Sequence, residues 1–427
     1  MIKEIGIPAR SKRKNYFPFL VGTLYSTGSI LQVPISMSAW KPIWGILAPL
    51  IVWVGIGTLF RIQLNRCMTF VKLFFIVMLI LVTLSTVVAY PRTIDENLYQ
   101  LSQGFAFSIT SFALMAWLSL APDQIATAAS RGMIAGLLIC MLAGLLETFE
   151  VYRLPGSSTS IVNSHLLRAD IAEWAAKAPV GGWWNPNGFA ACMVILSIAA
   201  LARGRFWLII YFVCAFLIVR AEARLCVLAL FLGSIQLLFL LLANSRSKLH
   251  AVTIISLAIG CVITIYWHTD KSRYEDINPL SALETELGSN ASRVGLTKLA
   301  FEASSDSPFF GSGPGFAYLA MTSAANNDSS LFVSDTHNQF ATIFVEFGVI
   351  AGTLMLILSA TLCLRSIYFI SRCSSDSPVY NSTESHTRVV WGCVLPILWF
   401  CQSNSFGLWP LWMALAFALR TNWTRRP

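Results

Sequence analysis

Charged residues are scarce in this chain of 427 residues, at 12% of the total. Soluble domains carry about 25% charged residues, because their surfaces must be solvated by water. Hydrophobic residues make up 56% of the chain instead, which is more than one soluble core can bury. The composition therefore excludes a soluble enzyme, a coiled coil, a disordered chain and a secreted disulfide scaffold, and it predicts a polytopic membrane protein.

Motifs for metal ions and disulfides are also missing. The five histidines show no HxxxH spacing, there is no DxD or CxxC pair, and most of the ten cysteines lie inside apolar runs. Thiols in such surroundings behave as small hydrophobic side chains. We therefore expect neither a metal site nor a disulfide.

The apolar residues cluster in about twelve long runs. Each is near the roughly 20 residues that a helix needs to cross a bilayer. Long continuous runs predict membrane-spanning helices, whereas barrel strands would alternate over about ten residues. The runs lie near 17–35, 40–60, 69–90, 101–121, 131–149, 186–203, 206–220, 223–243, 251–268, 339–364, 387–404 and 406–420.

The distribution of charge predicts the orientation of these helices. The net charge is +9, and an excess of lysine and arginine in a membrane protein marks its cytoplasmic loops, so no nucleic-acid partner is expected. If the N-terminus is inside, the basic loops fall on the cytoplasmic face. The long stretch 268–338, with nine acidic residues against four basic ones, then falls on the outer face.

The expected fold class is thus an all-α polytopic integral membrane protein with about 12 transmembrane helices and two long outer loops, the larger between spans 9 and 10. In chain order we expect transmembrane helices 1–5 over 1–149, the first long loop over 150–185, helices 6–9 over 186–268, the large loop over 269–338, and helices 10–12 with a cytoplasmic tail over 339–427.

Two arginines on the predicted outer side break the inside-positive pattern. Arg220 and Arg224 lie at the junction of two apolar runs, with Glu222 between them. At this spacing on one helix the two guanidinium groups share a face. A structural explanation is also available, since arginines at helix ends extend toward the interface.

The end of the large loop holds further candidates. His337 directly precedes an apolar run, Arg293 is a cation in an acidic segment, and Gly311, Gly313 and Gly315 recur at every second position. The three glycines permit backbone turns that other residues resist. For His337 a structural role is also open, because a lone histidine is more often structural than catalytic. Glu346 lies inside the following apolar run, where a carboxylate should face the protein interior with a partner.

Taken together and in order, these segments resemble the signature of the O-antigen ligase/polymerase superfamily. The resemblance rests on Arg293, Pro308-Phe-Phe-Gly-Ser-Gly-Pro-Gly-Phe, Thr336-His-Asn-Gln-Phe and Glu346-Phe-Gly-Val-Ile-Ala-Gly. Asn185-Pro-Asn-Gly and the segment 223–233 also fit, although the family's Ser-Arg-Gly is Ala-Arg-Leu here. These motifs cover roughly a third of the chain.

The resemblance implies a glycosyltransferase of the bacterial inner membrane whose active site faces the periplasm, so both long loops would be periplasmic. Such proteins move a glycan from undecaprenyl pyrophosphate to an acceptor hydroxyl without a metal, nucleotide or other cofactor. The implied catalytic residues are His337 as general base with Arg224 and Arg293 at the pyrophosphate, and the implied substrate-binding residues are Arg220, Asn338, Gly311 and Gly313.

The shared motifs do not encode the acceptor. Lipid A–core is favoured in a chain without an appended periplasmic domain, which would make this the ligase of lipopolysaccharide biosynthesis. A growing O-antigen or a pilin are the alternatives; membrane lipids are partners in every case. A flippase or transporter for lipid-linked oligosaccharide is a remote alternative, because it predicts ionisable residues at mid-membrane depth, whereas most charges here lie at the ends of apolar runs.

Overall fold

The computed structural model describes residues 16–28, 30, 42–61, 66–92, 95–152, 178–183, 186–244, 295–324, 338–372, 383–400 and 408–424. Every regular element in these ranges is helical. The N-terminal helices are α1 (Tyr16–Ser26), α2 (Pro42–Arg61), α3 (Arg66–Ala89), α4 (Asp95–Leu120) and α5 (Asp123–Thr148). They are followed by α6 (Pro186–Ala202), α7 (Leu208–Arg220), α8 (Arg224–Asn244), α9 (295–305), α10 (Ala317–Ala324), α11 (Gln339–Arg372), α12 (Thr383–Phe400) and α13 (Trp409–Thr424).

Four helices in the described ranges are long and apolar enough to cross a bilayer. They are Thr69–Ala89, Asn97–Leu120, Asp123–Thr148 and Gln339–Ile370, and three shorter apolar helices accompany them. This confirms a helical protein with several membrane spans. The number of twelve spans stays a prediction, and the run 251–268 lies outside the described residues.

The helices pack around one large apolar core. Four tryptophans on α12 and α13 are almost completely buried in it, namely Trp391, Trp399, Trp409 and Trp412. Where α1 crosses α5, a Cβ atom on Gly132 would collide with the carbonyl of Phe19. Small residues at such crossings allow the close backbone approach on which helix association in membranes depends.

Ion pairs hold several helix ends together at one end of the bundle, which we call the basic end. Arg420 near the end of α13 contacts Asp123 at the start of α5 at 2.8 Å. Glu384 at the start of α12 contacts Arg388 at 3.2 Å and Arg131 of α5 at 4.0 Å. The charge pattern predicts that this end is cytoplasmic.

The opposite end of the bundle carries the predicted site residues. Helix α5 spans 26 residues, or about 39 Å at 1.5 Å per residue, so Glu147 lies far from the basic end. The carboxylate of Glu147 accepts hydrogen bonds from the turn that precedes α6. The start of α6 contacts the start of α8, and Phe340 at the start of α11 contacts Phe400 at the end of α12. We call this end, which includes Glu147, Arg224 and Asn338, the outer end.

Arg420 provides a test of how the basic end is held. Its guanidinium donates to the carbonyls of Ala121 and Ser119, at the end of α4, as well as to Asp123. The side chain of Asp123 is 88% exposed, so the ion pair itself contributes little. The carbonyl contacts are buried, and leaving such groups without a donor costs about 1–3 kcal/mol.

We therefore expect Arg420→Met to lower the free energy of unfolding by about 1–3 kcal/mol. Thermal or denaturant unfolding in detergent micelles measures this loss. Arg205→Met is the matched control, because Arg205 is an exposed arginine next to the end of α6. Equal losses in the two variants would contradict this explanation.

Candidate functional site

At the outer end, the glycine-rich segment 308–315 lies against a kink in α11. Gly348 has φ 82° and ψ 178°, which interrupts the helical backbone. The carbonyls of Val345 and Glu346 accept hydrogen bonds from the N–H groups of Ser312 (2.8 Å) and Gly313 (3.1 Å). In return the N–H of Val349 donates to the carbonyl of Pro308 at 2.8 Å. The segment thus supplies hydrogen bonds that α11 loses at the kink, because buried backbone groups need partners.

Two glycines make this close approach possible. Gly311 has φ +72°, and a Cβ atom there would collide with the backbone of Glu346 and Phe347. Gly348 has φ +82°, and its Cβ atom would collide with the backbone of Phe309. The expectation that the glycine triplet permits unusual turns is confirmed, since Gly311, Gly313 and Gly315 all have positive φ.

The amides of the segment are used within the protein. The N–H of Gly311 donates to the carbonyl of Ser307 at 2.8 Å, and the N–H of Gly313 donates to Glu346. These two groups are therefore not available to cradle a phosphate in this arrangement. A contact between substrate and Gly311 or Gly313 stays a prediction, and a role in packing is what the structure assigns to both residues.

Helices α3 and α4 hold the other side of the same segment. The hydroxyl of Ser85 donates to the carbonyl of Glu346 at 2.6 Å, and the Nε2 of Gln100 donates to the carbonyl of Gly315 at 2.6 Å. Glu346 is 3% exposed, which confirms that it is buried. Sequence reasoning did not select Ser85, a polar residue within an apolar run, or Gln100, which lies one position before the run 101–121.

A small second core joins α9 and α10 to the first turns of α11. It contains Leu296, Leu299, Ala300, Ala303, Ala317, Met321, Ala341 and Val345. The rings of Phe301 and Phe344 lie 5.5 Å apart, and Pro308 bonds Val349 further along. These contacts place α9 and the segment that follows it against α11.

Asn338 caps the N-terminus of α11. Its Oδ1 accepts hydrogen bonds from the N–H groups of Phe340 (3.0 Å) and Ala341 (3.4 Å), as an N-cap residue does. A substrate contact by Asn338 stays a prediction. His337 and Arg293 lie outside the described residues; in the sequence His337 directly precedes this cap, and Arg293 lies two residues before the described start of α9.

The junction between Arg220 and Arg224 is a turn between two helices, as the two separate apolar runs predict. Helix α7 ends at Arg220 and α8 begins at Arg224, so the two arginines belong to different helices and do not share one helical face. The N–H of Glu222 donates to Val219 (2.8 Å), and the N–H of Arg224 donates to the carbonyl of Glu222 (3.1 Å). The tight turn changes the chain direction between the arginines, and both are exposed.

Glu222 occupies a position in this turn that usually requires glycine. Its φ is 53°, in the left-handed region that commonly follows a helix end and favours glycine or asparagine. Strained backbone of this kind costs of order 1–3 kcal/mol and is concentrated at functional sites. The turn at 221–223 is therefore a candidate functional element together with its two arginines.

The starts of α8 and α11 both lie at the outer end. A Cβ atom on Gly233 of α8 would contact Val394 of α12, and at 1.5 Å per residue Arg224 lies about 14 Å along α8 from that contact. Phe400 lies on the outer side of the same contact along α12, and Phe340 contacts Phe400 at 5.0 Å between ring centroids. Arg224 and the start of α11 therefore lie on the same side of the contact between α8 and α12.

The outer end therefore combines two exposed arginines with the N-termini of α6, α8 and α11. Helix N-termini carry partial positive charge, so this arrangement suits an anionic group such as a phosphate. Within the described ranges, no group of three or more His, Cys, Asp or Glu side chains is arranged to hold a metal ion.

A family model matches part of the chain. Residues 189–356 match the family model described as O-antigen ligase. The matched range contains Arg224, the glycine-rich segment, Asn338 and the sequence positions of Arg293 and His337. No curated protein matches the chain.

Proposed function

We propose that the chain is an O-antigen ligase, because residues 189–356 match the family model of that description in a protein with long apolar helices. This match supports ligase- or polymerase-type activity on lipid-linked glycans in general. The proposed reaction moves an O-antigen from undecaprenyl pyrophosphate to a hydroxyl of lipid A–core, at the periplasmic face of the bacterial inner membrane. The main support from the structure is that Arg224 and the start of α11, which His337 directly precedes in the sequence, both lie at the outer end.

The proposed chemistry is a displacement at the anomeric carbon of the donor glycan. The acceptor oxygen forms the new bond to that carbon, the bond from carbon to the pyrophosphate oxygen breaks, and the leaving pyrophosphate keeps the electron pair. Arg224 and Arg293, with Arg220 assisting, bind the pyrophosphate, because planar guanidinium groups make bidentate hydrogen bonds to phosphate oxygens. Stabilisation of this developing charge is the largest contribution that we assign to the arginines.

His337 is the proposed general base that takes the proton from the acceptor hydroxyl. A histidine has an ordinary pKa of about 6.5, so its neutral form is available at neutral pH. The contact of α9 with the start of α11 supports a shared site. In the sequence Arg293 precedes α9 and His337 precedes α11.

Substitution of Arg224 tests the donor site. We expect Arg224→Ala to lower kcat/KM for lipid-linked glycan by about 10²-fold or more, as for other groups that stabilise charge in a transition state. Arg224→Lys should remain well below wild type, because an ammonium group is a point charge without the bidentate geometry. The measurement is glycan transfer by the protein in nanodiscs.

Arg220→Ala, measured in parallel, shows which arginine at the turn contributes more. Arg205→Ala is the control, since Arg205 is an exposed arginine near the basic end. Wild-type turnover in both Arg224 variants would refute the role of Arg224.

The acceptor is tested by supplying undecaprenyl-pyrophosphate glycan with lipid A–core, with pilin, or with neither, in the presence of EDTA. Glycan on lipid A–core is the expected product. Glycan on pilin would indicate transfer to protein instead, and longer lipid-linked glycan without added acceptor would indicate O-antigen polymerisation. Both are activities of the same superfamily. If no transfer occurs under any condition, the transporter alternative becomes the better explanation.

A further inference from the structure

Glu147 is a buried acidic residue at the C-terminal end of α5, and the proposed reaction does not use it. Its side chain is 1% exposed. Its Oε2 accepts hydrogen bonds from the N–H groups of Val180 (2.8 Å) and Gly181 (2.7 Å). A carboxylate is disfavoured near a helix C-terminus, and its burial is costly unless hydrogen bonds compensate. These two backbone groups compensate the burial of Oε2, whereas Oε1 is buried without a hydrogen-bond partner among the described residues.

The two N–H groups belong to a tight turn at 180–183. The N–H of Trp183 donates to the carbonyl of Val180 at 2.7 Å, and Gly181 and Gly182 have φ of +50° and +83°. The ring of Phe189 in α6 fills the space that a Cβ atom would need on Gly181. The same ring lies against Gly144 of α5. One aromatic side chain thus contacts the turn and α5 from within α6.

The turn leads directly to the proposed donor site. Helix α6 begins at Pro186, three residues after Trp183. The carbonyl of Asn187, in the first turn of α6, accepts a weak hydrogen bond from the thiol of Cys226 at 3.9 Å. Cys226 lies in the first turn of α8, two residues after Arg224. A continuous series of contacts therefore joins Glu147 to the helix start that carries Arg224.

We propose that Glu147 is a positioning residue for the donor site. By fixing the turn at 180–183 it sets the start of α6 against the start of α8, and so the direction from which Arg224 reaches the pyrophosphate. Glu147 itself does not contact substrate. This inference rests on the proposed function. A residue that only anchors the fold would change stability and leave turnover per folded molecule unaltered.

The test compares Glu147→Ala and Glu147→Gln with wild type in nanodiscs, with kcat and KM expressed per folded molecule. Small displacements of catalytic groups cost up to about 10²-fold in rate, so we expect kcat to fall about tenfold or more in Glu147→Ala. Glu147→Gln should be intermediate, since its amide oxygen still accepts from the turn. Glu384→Gln is the control, because Glu384 is a carboxylate that also contacts α5, through Arg131 and Thr127, but at the basic end; its kcat should equal wild type.

A double-mutant cycle with Arg224→Ala gives the decisive readout. If Glu147 acts through Arg224, the double variant turns over no more slowly than Arg224→Ala alone; independent effects would multiply. Wild-type kcat in Glu147→Ala, or multiplied effects in the cycle, would overturn the proposal. If Glu147→Ala does not fold, Glu147→Gln and Phe189→Leu weaken the same turn more mildly. Failure of all three to fold would show that the residue is an anchor only.

The outcomes also separate this inference from the proposed function. Loss of transfer in Arg224→Ala with wild-type kcat in both Glu147 variants would reject the positioning role alone. Wild-type transfer in Arg224→Ala, or no transfer by the wild-type protein, would reject the proposed function itself.

Discussion

Replacement of His337 by alanine is expected to lower glycan transfer by about 10²–10⁴-fold, the range that a general base contributes. The acceptor hydroxyl has a high pKa and must lose its proton as the new glycosidic bond forms. Without the imidazole, only water remains to take that proton. Transfer to lipid A–core at saturating donor, with the protein in nanodiscs, measures the loss.

The pH profile gives this prediction a second readout. An imidazolium cannot accept a proton, so wild-type turnover should fall as the pH is lowered through about 6.5, the ordinary pKa of histidine. The residual activity of His337→Ala should lack this decline. His165→Ala is the matched control, because His165 lies in the other predicted periplasmic loop and outside the segment that resembles the superfamily. Equal turnover in the His337 and His165 variants would remove His337 from the mechanism.

The second large effect is expected for Gly348→Ala, which should reduce the free energy of unfolding by more than about 3 kcal/mol. The left-handed backbone alone costs an alanine roughly 1–2 kcal/mol. The added Cβ atom would also collide with the backbone of Phe309. Relief of that collision separates α11 from the segment 308–315 and leaves the carbonyls of Val345 and Glu346 without their donors, a mechanism typical of large destabilisation.

Gly204→Ala is the control that separates backbone strain from collision. Gly204 also has a positive φ, +96°, but a Cβ atom there would have nothing within 4 Å. Its cost should therefore be that of the backbone alone, of order 1–3 kcal/mol, and smaller than the cost of Gly348→Ala. Thermal unfolding in detergent, followed by tryptophan fluorescence, compares the two variants. A Gly348→Ala protein as stable as Gly204→Ala would show that the segment is not held by the kink.

The turn between Arg220 and Arg224 shows where sequence reasoning stops. The two apolar runs predict separate helices, but the intervening Ala-Glu-Ala consists of good helix formers and does not indicate how the chain turns. Glu222 adopts a left-handed backbone in this turn, and α7 and α8 both pack against α6. Tertiary packing overrode local preference at this position.

The contacts that organise the outer end could not be predicted from the sequence either. The bonds from Ser85 to Glu346 and from Gln100 to Gly315 join residues 261 and 215 positions apart. Glu147 bonds a turn 33 positions away. Ser85, Gln100 and Glu147 were not selected from the sequence. A carboxylate within an apolar run is the one signal that could have indicated Glu147, but only the packing of distant helices gives each of the three its partner.

The sequence by itself determined the membrane class, the helical character, the positive-φ glycines and the burial of Glu346. These properties depend on composition, on local backbone freedom or on the cost of charge in an apolar run, and all three can be read from neighbouring residues. Only the tertiary structure decided that the glycine-rich segment completes a kinked helix, that Glu222 makes a left-handed turn between α7 and α8, and that Glu147 accepts hydrogen bonds from the turn before α6. These features depend on hydrogen bonds and close contacts between segments far apart in the chain, and no local pattern specifies them.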